Sequence, residues 1–342
     1  MNILITGISG FVGSNFTDYI LKNVPEANIF AIRRWKSSDE NIKHLYTNEK
    51  VRFIEADLLD RGSLENIIRI AIPSYVFHFA AQSYPMSSFN TPIHTLNTNV
   101  IGTVNLLDEL RIARDRKICD PIIVSVSSSE VYGNPLPEEI PIKESNPIRA
   151  ANPYSISKVA HDLMSQFYYQ AYGLKVIITR MFSHEGSRRG KLFALSSFAY
   201  QIVQAEKLYR ERLVKNCNEC FDLKYKVKVG NLNSIRTYSH VDDAVNAYWL
   251  AATKGKIGNV YNIGGTDTCT VGDALNKLLL YSLVPINEFN IVVDPNKIRL
   301  TDITLQVPCA DKFKQDTGWE PKKHLDDICN DLLQFWRKNI KE

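Results

Sequence analysis

No apolar run in the chain approaches the ~20 residues needed to cross a bilayer, so a membrane span is not expected. Charge of one sign is scarce as well. Forty-one Lys and Arg stand against 37 Asp and Glu, and the net +4 is scattered along the chain. That balance gives no argument for nucleic acid or a membrane surface as a partner, and neither is expected. The six cysteines, at 119, 217, 220, 269, 309 and 329, lack the spacing of a disulfide scaffold. Reduced thiols and a cytoplasmic location are expected. The first residues, Met-Asn-Ile-Leu-Ile-Thr-Gly, carry no basic segment ahead of an apolar core, so no signal peptide is expected. Internal repeats and low-complexity linkers are missing too. What is present is ordinary globular composition, 44% apolar and 23% charged, over 342 residues. That length suggests two lobes or one large domain.

The N-terminus reads as a strand, Asn2 to Thr6, a glycine-rich turn, and a helix. Gly7, Gly10 and Gly13 are spaced G-x-x-G-x-x-G. Glycines there permit a tight turn, close approach to a pyrophosphate, and close packing of helix on strand. With Phe11 and Val12 they form an expected dinucleotide cradle, the phosphates meeting a helix N-terminus. A second strand ends at Arg33-Arg34, where an NAD site usually carries an acid for the ribose hydroxyl. Guanidinium groups suit a 2′-phosphate, so the cofactor expected is NADP. After a third strand, Asp57 and Leu58 are expected at the cofactor. Asp57 either accepts from the adenine amino group or caps a helix over 60–70. A fourth strand, Tyr75 to Phe79, leads to Ala80, Ala81 and Gln82, small or polar residues that let the backbone pass the cofactor. Strands and helices go on alternating through 98–114 and 121–126. The expected fold class is therefore α/β, a doubly wound parallel sheet with ligands beyond the carboxyl ends of its strands.

Ser127-Ser128-Ser129-Glu130 follows the fifth strand directly. Ser128 is placed to bond a reacting hydroxyl, and Glu130 offers a carboxylate for proton transfer. Tyr154 and Lys158 are four apart and share one helix face. An ammonium one turn away is expected to favour the phenolate and make Tyr154 a general acid/base.

Taken together, TGxxGFVG, FHFAAQS, SSSEVYG and YSISK resemble the extended short-chain dehydrogenase/reductase family over essentially the whole chain. The resemblance implies a Rossmann domain with Ser128, Tyr154 and Lys158 as catalytic triad, and a smaller C-terminal lobe for a nucleotide-sugar. Ser183 to Gly190 looks like the NHESPRRG stretch of GDP-mannose 4,6-dehydratases, with Ser183 in place of Asn. Gly230 to Arg236 resembles their GNLxxxR segment, Arg299 to Asp302 stands where they carry RPTE, and Trp319-Glu320-Pro321 matches their GWxP. This implies a GDP-hexose 4,6-dehydratase with Glu130 as acid/base. Water would be lost from a GDP-hexose, of N-acetylglucosamine or mannose type, the former slightly favoured. C4 or C5 epimerases and UDP-sugar decarboxylases share SSSEVYG and YxxxK and remain open, and a nucleotide-sensing protein is a remote alternative.

On the same resemblance, residues 1–180, with 236–265 returning, form the cofactor domain, and 181–235 and 266–342 the sugar lobe. Asn99 joins the cofactor residues. Ser83, Ser128, Ser183, Lys191, Asn231, Arg236 and Arg299 are the substrate residues, the last two arginines clamping the diphosphate. Arg188 and Arg189 are expected either to reach a neighbouring subunit's cofactor or to form an exposed basic loop, and a homodimer or homotetramer is expected. The charged stretch 206–228 is read as an inserted hairpin. Its Cys217-x-x-Cys220 lacks a second ligand pair, so no metal is expected.

Overall fold

The computed structural model describes residues 1–215 and 224–340. Six strands come first: β1 (Asn2–Thr6), β2 (Asn28–Arg33), β3 (Val51–Glu55), β4 (Tyr75–His78), β5 (Ile122–Val126) and β6 (Val176–Met181). Helices between them are α1 (Phe11–Asn23), α2 (Arg61–Ala71), α3 (Pro85–Asn90), α4 (Pro92–Leu96), α5 (Gly102–Asp115) and α6 (Pro153–Tyr172). The strand runs are apolar without alternation, since both sheet faces are covered by helices. Ile3 and Ile5 pack with Phe16 of α1, and Leu4 with Ile67 of α2 and Leu106 of α5. Between α4 and α5 the backbone widens into one π turn, Asn97–Ile101.

Beyond β6 the chain builds the smaller lobe from β7 (His184–Glu185), α7 (Ala194–Lys215), β8 (Tyr225–Val229) and β9 (Ile235–His240). It re-enters the large sheet through α8 (Val241–Lys254), packed on α1, and β10 (Val260–Ile263), paired with β6. Then follow β11 (Asp267–Thr270), α9 (Val271–Leu280), β12 (Phe289–Val293), β13 (Leu305–Gln306), α10 (Asp311–Thr317) and α11 (Leu325–Asn339). The large sheet is parallel with order β10-β6-β5-β4-β1-β2-β3. The order reverses beside β1, the crevice where such sheets bind ligands. In the small lobe β9 is flanked by β11 and β13 and also pairs β7, while β8 and β12 form a separate parallel pair. α7, α9 and α11 enclose this lobe's core around Phe198, Leu275 and Leu332.

One expectation changes here. Residues 206–215 continue α7 and 225–229 are strand β8, so the described part of 206–228 is not a hairpin. Cys217 and Cys220 lie outside the described residues. No helix among the described residues is long and apolar enough to cross a membrane.

Candidate active site

A cavity of about 680 Å³ opens where the carboxyl ends of the large sheet face the small lobe. Gly7, Gly10, Phe11, Val12 and Gly13 line one end. Gly7 has φ +74, and a Cβ there would stand 2.7 Å from the Ala80 nitrogen. A Cβ at Gly13 would lie 2.3 Å from the Gly7 carbonyl oxygen. Both positions exclude any side chain. Gly10 caps α1 without a side-chain bond, which leaves first-turn N–H groups for an anion. This cradle fits a dinucleotide pyrophosphate.

At the far edge of that end, Arg34 and Ser37 line the cavity and Arg33 does not. Arg33 lies over the Tyr46 ring at 5.7 Å, its Nε buried without a partner. One arginine of the pair, not both, faces the cavity. Asp57 and Leu58 line the wall too. The Asp57 carboxylate accepts from the Leu59 N–H at 2.9 Å, and it is Asp60 that caps α2. Of Ala80, Ala81 and Gln82, the two alanines reach the cavity. Gln82 and Asn99 sit behind it as a brace. The Gln82 N–H donates to Asn99 Oδ1 at 2.7 Å, and Asn99 Nδ2 donates to the Gln82 carbonyl and to Ser157 Oγ at 3.0 and 2.9 Å.

Ser128, Glu130, Tyr154 and Lys158 meet in the middle of the cavity. Asn152 caps α6, its Oδ1 accepting from the Ser155 N–H at 2.8 Å, and Pro153 at the first turn presets the helix. That start fixes Tyr154 and Lys158 on one face, both buried. The Lys158 ammonium, however, donates to the Val126 carbonyl at 2.7 Å. Burial and then the Glu130 carboxylate push the Tyr154 phenol up to about 12, while Ser128, Arg189 and Arg299 oppose them. Lys158 falls to about 8 through burial, with Asp162 opposing. Burial, rather than the ammonium one turn away, is the largest influence on this phenol in the chain alone.

Glu130 is held from two sides. Its Oε2 accepts from Asn152 Nδ2 at 3.0 Å, and its Oε1 from Arg299 Nη1 at 3.4 Å. Ser83, Ser183, Lys191, Asn231, Arg236 and Arg299 all reach the cavity, most from the small lobe. Arg236 donates to the carbonyls of Ile235, at 2.9 Å, and Ile303. Asn231 Nδ2 donates to Asp302 Oδ2 at 2.9 Å and to Ser234 Oγ at 3.1 Å. Lys191 lies over the Tyr200 ring at 5.2 Å.

Four lining residues were not assigned from sequence, His184, Glu185, Tyr248 and Lys297, and Arg189, expected at a neighbouring subunit's cofactor, lines this cavity too. His184 stacks on Phe11 at 5.6 Å. Arg189 lies over Phe193 at 3.6 Å and Phe11 at 5.0 Å, and burial raises its neighbour Glu185 to about 7. The loop carrying them is tied to its own chain. The Ser187 N–H donates to Asp331 at 2.6 Å, Asn15 donates to the Ser187 carbonyl at 3.1 Å, and Arg188 pairs with Asp18 at 2.6 Å. Within this single chain Arg189 lines the cavity and Arg188 is held by Asp18 of α1. Gly186, at φ +147 with no room for a Cβ beside Val241, was the available signal of a sharply turned loop.

Against known proteins, residues 4–332 match the family model described as GDP-mannose 4,6 dehydratase. A dTDP-glucose 4,6-dehydratase of Haemophilus influenzae is 29% identical, covering 94% of each chain. The human GDP-mannose 4,6 dehydratase is 27% identical over 96% of this chain and 90% of its own. Among solved structures, a dTDP-glucose 4,6-dehydratase from Bacillus anthracis in complex with NAD superposes with TM-score 0.79 at 26% identity, covering 99% of this chain and 97% of the other. The glycine cradle, the Ser128/Tyr154/Lys158 arrangement and the match across nearly all of its length agree: the chain belongs to the GDP-mannose 4,6-dehydratase family of the extended short-chain dehydrogenase/reductases.

Proposed function

We propose that this protein removes water from the hexose of a GDP-linked sugar of mannose or N-acetylglucosamine type, giving the 4-keto-6-deoxy sugar, with NADP as its cofactor. One observation carries the reading. Glu130, a carboxylate beyond what simple oxidation of an alcohol needs, stands beside Tyr154 between a dinucleotide cradle and two arginines. Gly7, Gly10 and Gly13 would hold the pyrophosphate, and Arg34 and Ser37 the 2′-phosphate. Arg34 has no acidic partner among the described residues, which supports NADP over NAD. When bound, the nicotinamide supplies a hydride acceptor and then donor, so no net oxidation results.

The chain's own groups move the protons. Tyr154 takes the proton from the sugar O4 while Ser128 bonds the same oxygen. The acceptor is the Tyr154 phenolate, so the phenol first gives its own proton to solvent, a loss that burial and Glu130 oppose and that Ser128, Arg189 and Arg299 favour. The C4 carbonyl that results acidifies the C5 proton, and Glu130 removes it. Glu130 passes that proton to the C6 hydroxyl, which leaves as water. C6 then takes the hydride and C5 a proton by way of Glu130, while Tyr154 gives its proton to solvent, so C4 stays a carbonyl. Arg236 and Arg299 anchor the diphosphate so that C4 and C5 lie between Tyr154 and Glu130. The test is to offer GDP-, UDP- and dTDP-linked hexoses and weigh the products. A product lighter by one water from a GDP-sugar is expected. A sugar returned with its C6 hydroxyl would overturn the reading, and equal turnover of all three nucleotides would overturn the choice of guanine.

A further inference from the structure

We propose that Arg299 serves Glu130 and the substrate's diphosphate in turn, so that nucleotide binding itself releases the acid/base. The proposal rests on the nucleotide-sugar reading above. Arg299 and Glu130 both line the cavity, and Arg299 Nη1 reaches Glu130 Oε1 at 3.4 Å. That is a long contact, at the weak end for a charged hydrogen bond. Arg299 has a second acid at its edge, Asp302 Oδ1 at 4.0 Å. The other oxygen of Asp302 is already engaged by Asn231 and by Ser234, at 2.9 and 3.0 Å.

The charges facing Glu130 make the contact exchangeable. Arg236 and Arg299 lie close enough to repel each other, and Glu130 acts on Arg236 and on Tyr154. Two guanidinium groups sharing a cavity are compensated here by the Glu130 and Asp302 carboxylates. A diphosphate offers more negative charge and a geometry that a guanidinium fork matches on two oxygens. It would draw Arg299 away. Asn152, whose Oδ1 is fixed by capping α6, stays on Oε2 and keeps the carboxylate aimed. Oε1 is then open to the sugar. Arg299 is in this sense a positioning residue for Glu130 that leaves when substrate arrives, which spares the unliganded site an unpaired arginine.

The consequence is counterintuitive: damaging the acid/base should improve nucleotide binding. Glu130→Gln removes Arg299's competing partner, and GDP should bind roughly two- to tenfold tighter by calorimetry. In an Arg299→Ala background, where GDP binds more weakly, the same Glu130→Gln change should do nothing. This double-mutant cycle separates exchange from simple loss of negative charge, which would tighten GDP in both backgrounds. Tightening in both, or in neither, overturns the inference while leaving the nucleotide-sugar reading standing. Failure of the wild-type protein to bind GDP, UDP or dTDP would remove that reading and this inference with it. Glu130→Asp, which keeps the charge, should leave GDP affinity within about twofold of wild type; a gain like that of Glu130→Gln would contradict the exchange.

Discussion

Lys158 should cost the fold stability, and replacing it should return some. The side chain is 4% exposed, and burial lowers its ammonium from 10.5 to about 8. A tenfold change in proton affinity is worth about 1.4 kcal/mol, so holding the charge at neutral pH costs about 3 kcal/mol. Lys158→Met keeps the length and apolar stem while deleting the charge. It also orphans the Val126 carbonyl, bonded at 2.7 Å in the native protein, at a cost of about 1–2 kcal/mol. The net expectation is a gain of about 1–2 kcal/mol, a rise of a few degrees in Tm, with catalytic activity lost. The pH dependence identifies the cause. Because the folded pKa lies below the unfolded one, the unfolded chain binds the extra proton between pH about 8 and 10.5. Native stability therefore rises through that window and the advantage of the variant shrinks. Scanning calorimetry of both proteins from pH 7 to 10.5 tests this. A variant less stable at pH 7, or an advantage that does not change with pH, would refute the reasoning.

At the ribose end, Arg34→Asp should weaken NADPH by roughly ten- to a hundredfold while affecting NADH far less, and Arg33→Ala should change the NADPH-to-NADH ratio little. Fluorescence titration of both cofactors checks this, and a larger effect at Arg33 would reverse the assignment. Beneath the sheet, Thr6, His78, Thr103, His161 and Ser125 form a buried hydrogen-bonded chain. Burial lowers His78 to about 3 and His161 well below its ordinary 6.5, so both are neutral in the fold. Their contribution is complete above pH about 6.5 and is lost as pH falls toward the folded values. Urea midpoints should decline steadily from pH 7 to 4, and a flat profile would contradict that account.

The elements that position the site were legible because their signals are local. Gly7 and Gly13 each answer to a turn or a backbone contact that leaves no room for a side chain, and Pro153 after Asn152 marks the start of α6. Ser128 and Glu130 follow a strand in sequence and so had to lie at its carboxyl end. What escaped depends on contacts between distant parts of the chain. Arg33 and Arg34 look alike in sequence, and only packing on Tyr46 separates them. The spacing of Tyr154 and Lys158 suggested a lowered phenol, yet the balance is set by burial and by Glu130. Glu130 meets Arg299 across 169 residues of chain, a pairing without any local pattern. The loop holding His184 and Arg189 turns inward because Asp331, Asn15 and Asp18 fasten it, from the C-terminal helix and from α1.

The central claim is that Glu130 eliminates water across C5 and C6 while Tyr154 serves C4. The most direct measurement is the mass of the product formed from a GDP-hexose in deuterated water. The wild-type enzyme should give a sugar lighter by one water and carrying one solvent-derived, carbon-bound deuterium at C5. Glu130→Gln should form that product roughly 10²–10⁴-fold more slowly. A wild-type product that keeps its C6 hydroxyl, or a Glu130→Gln enzyme that dehydrates at the wild-type rate, would contradict the account.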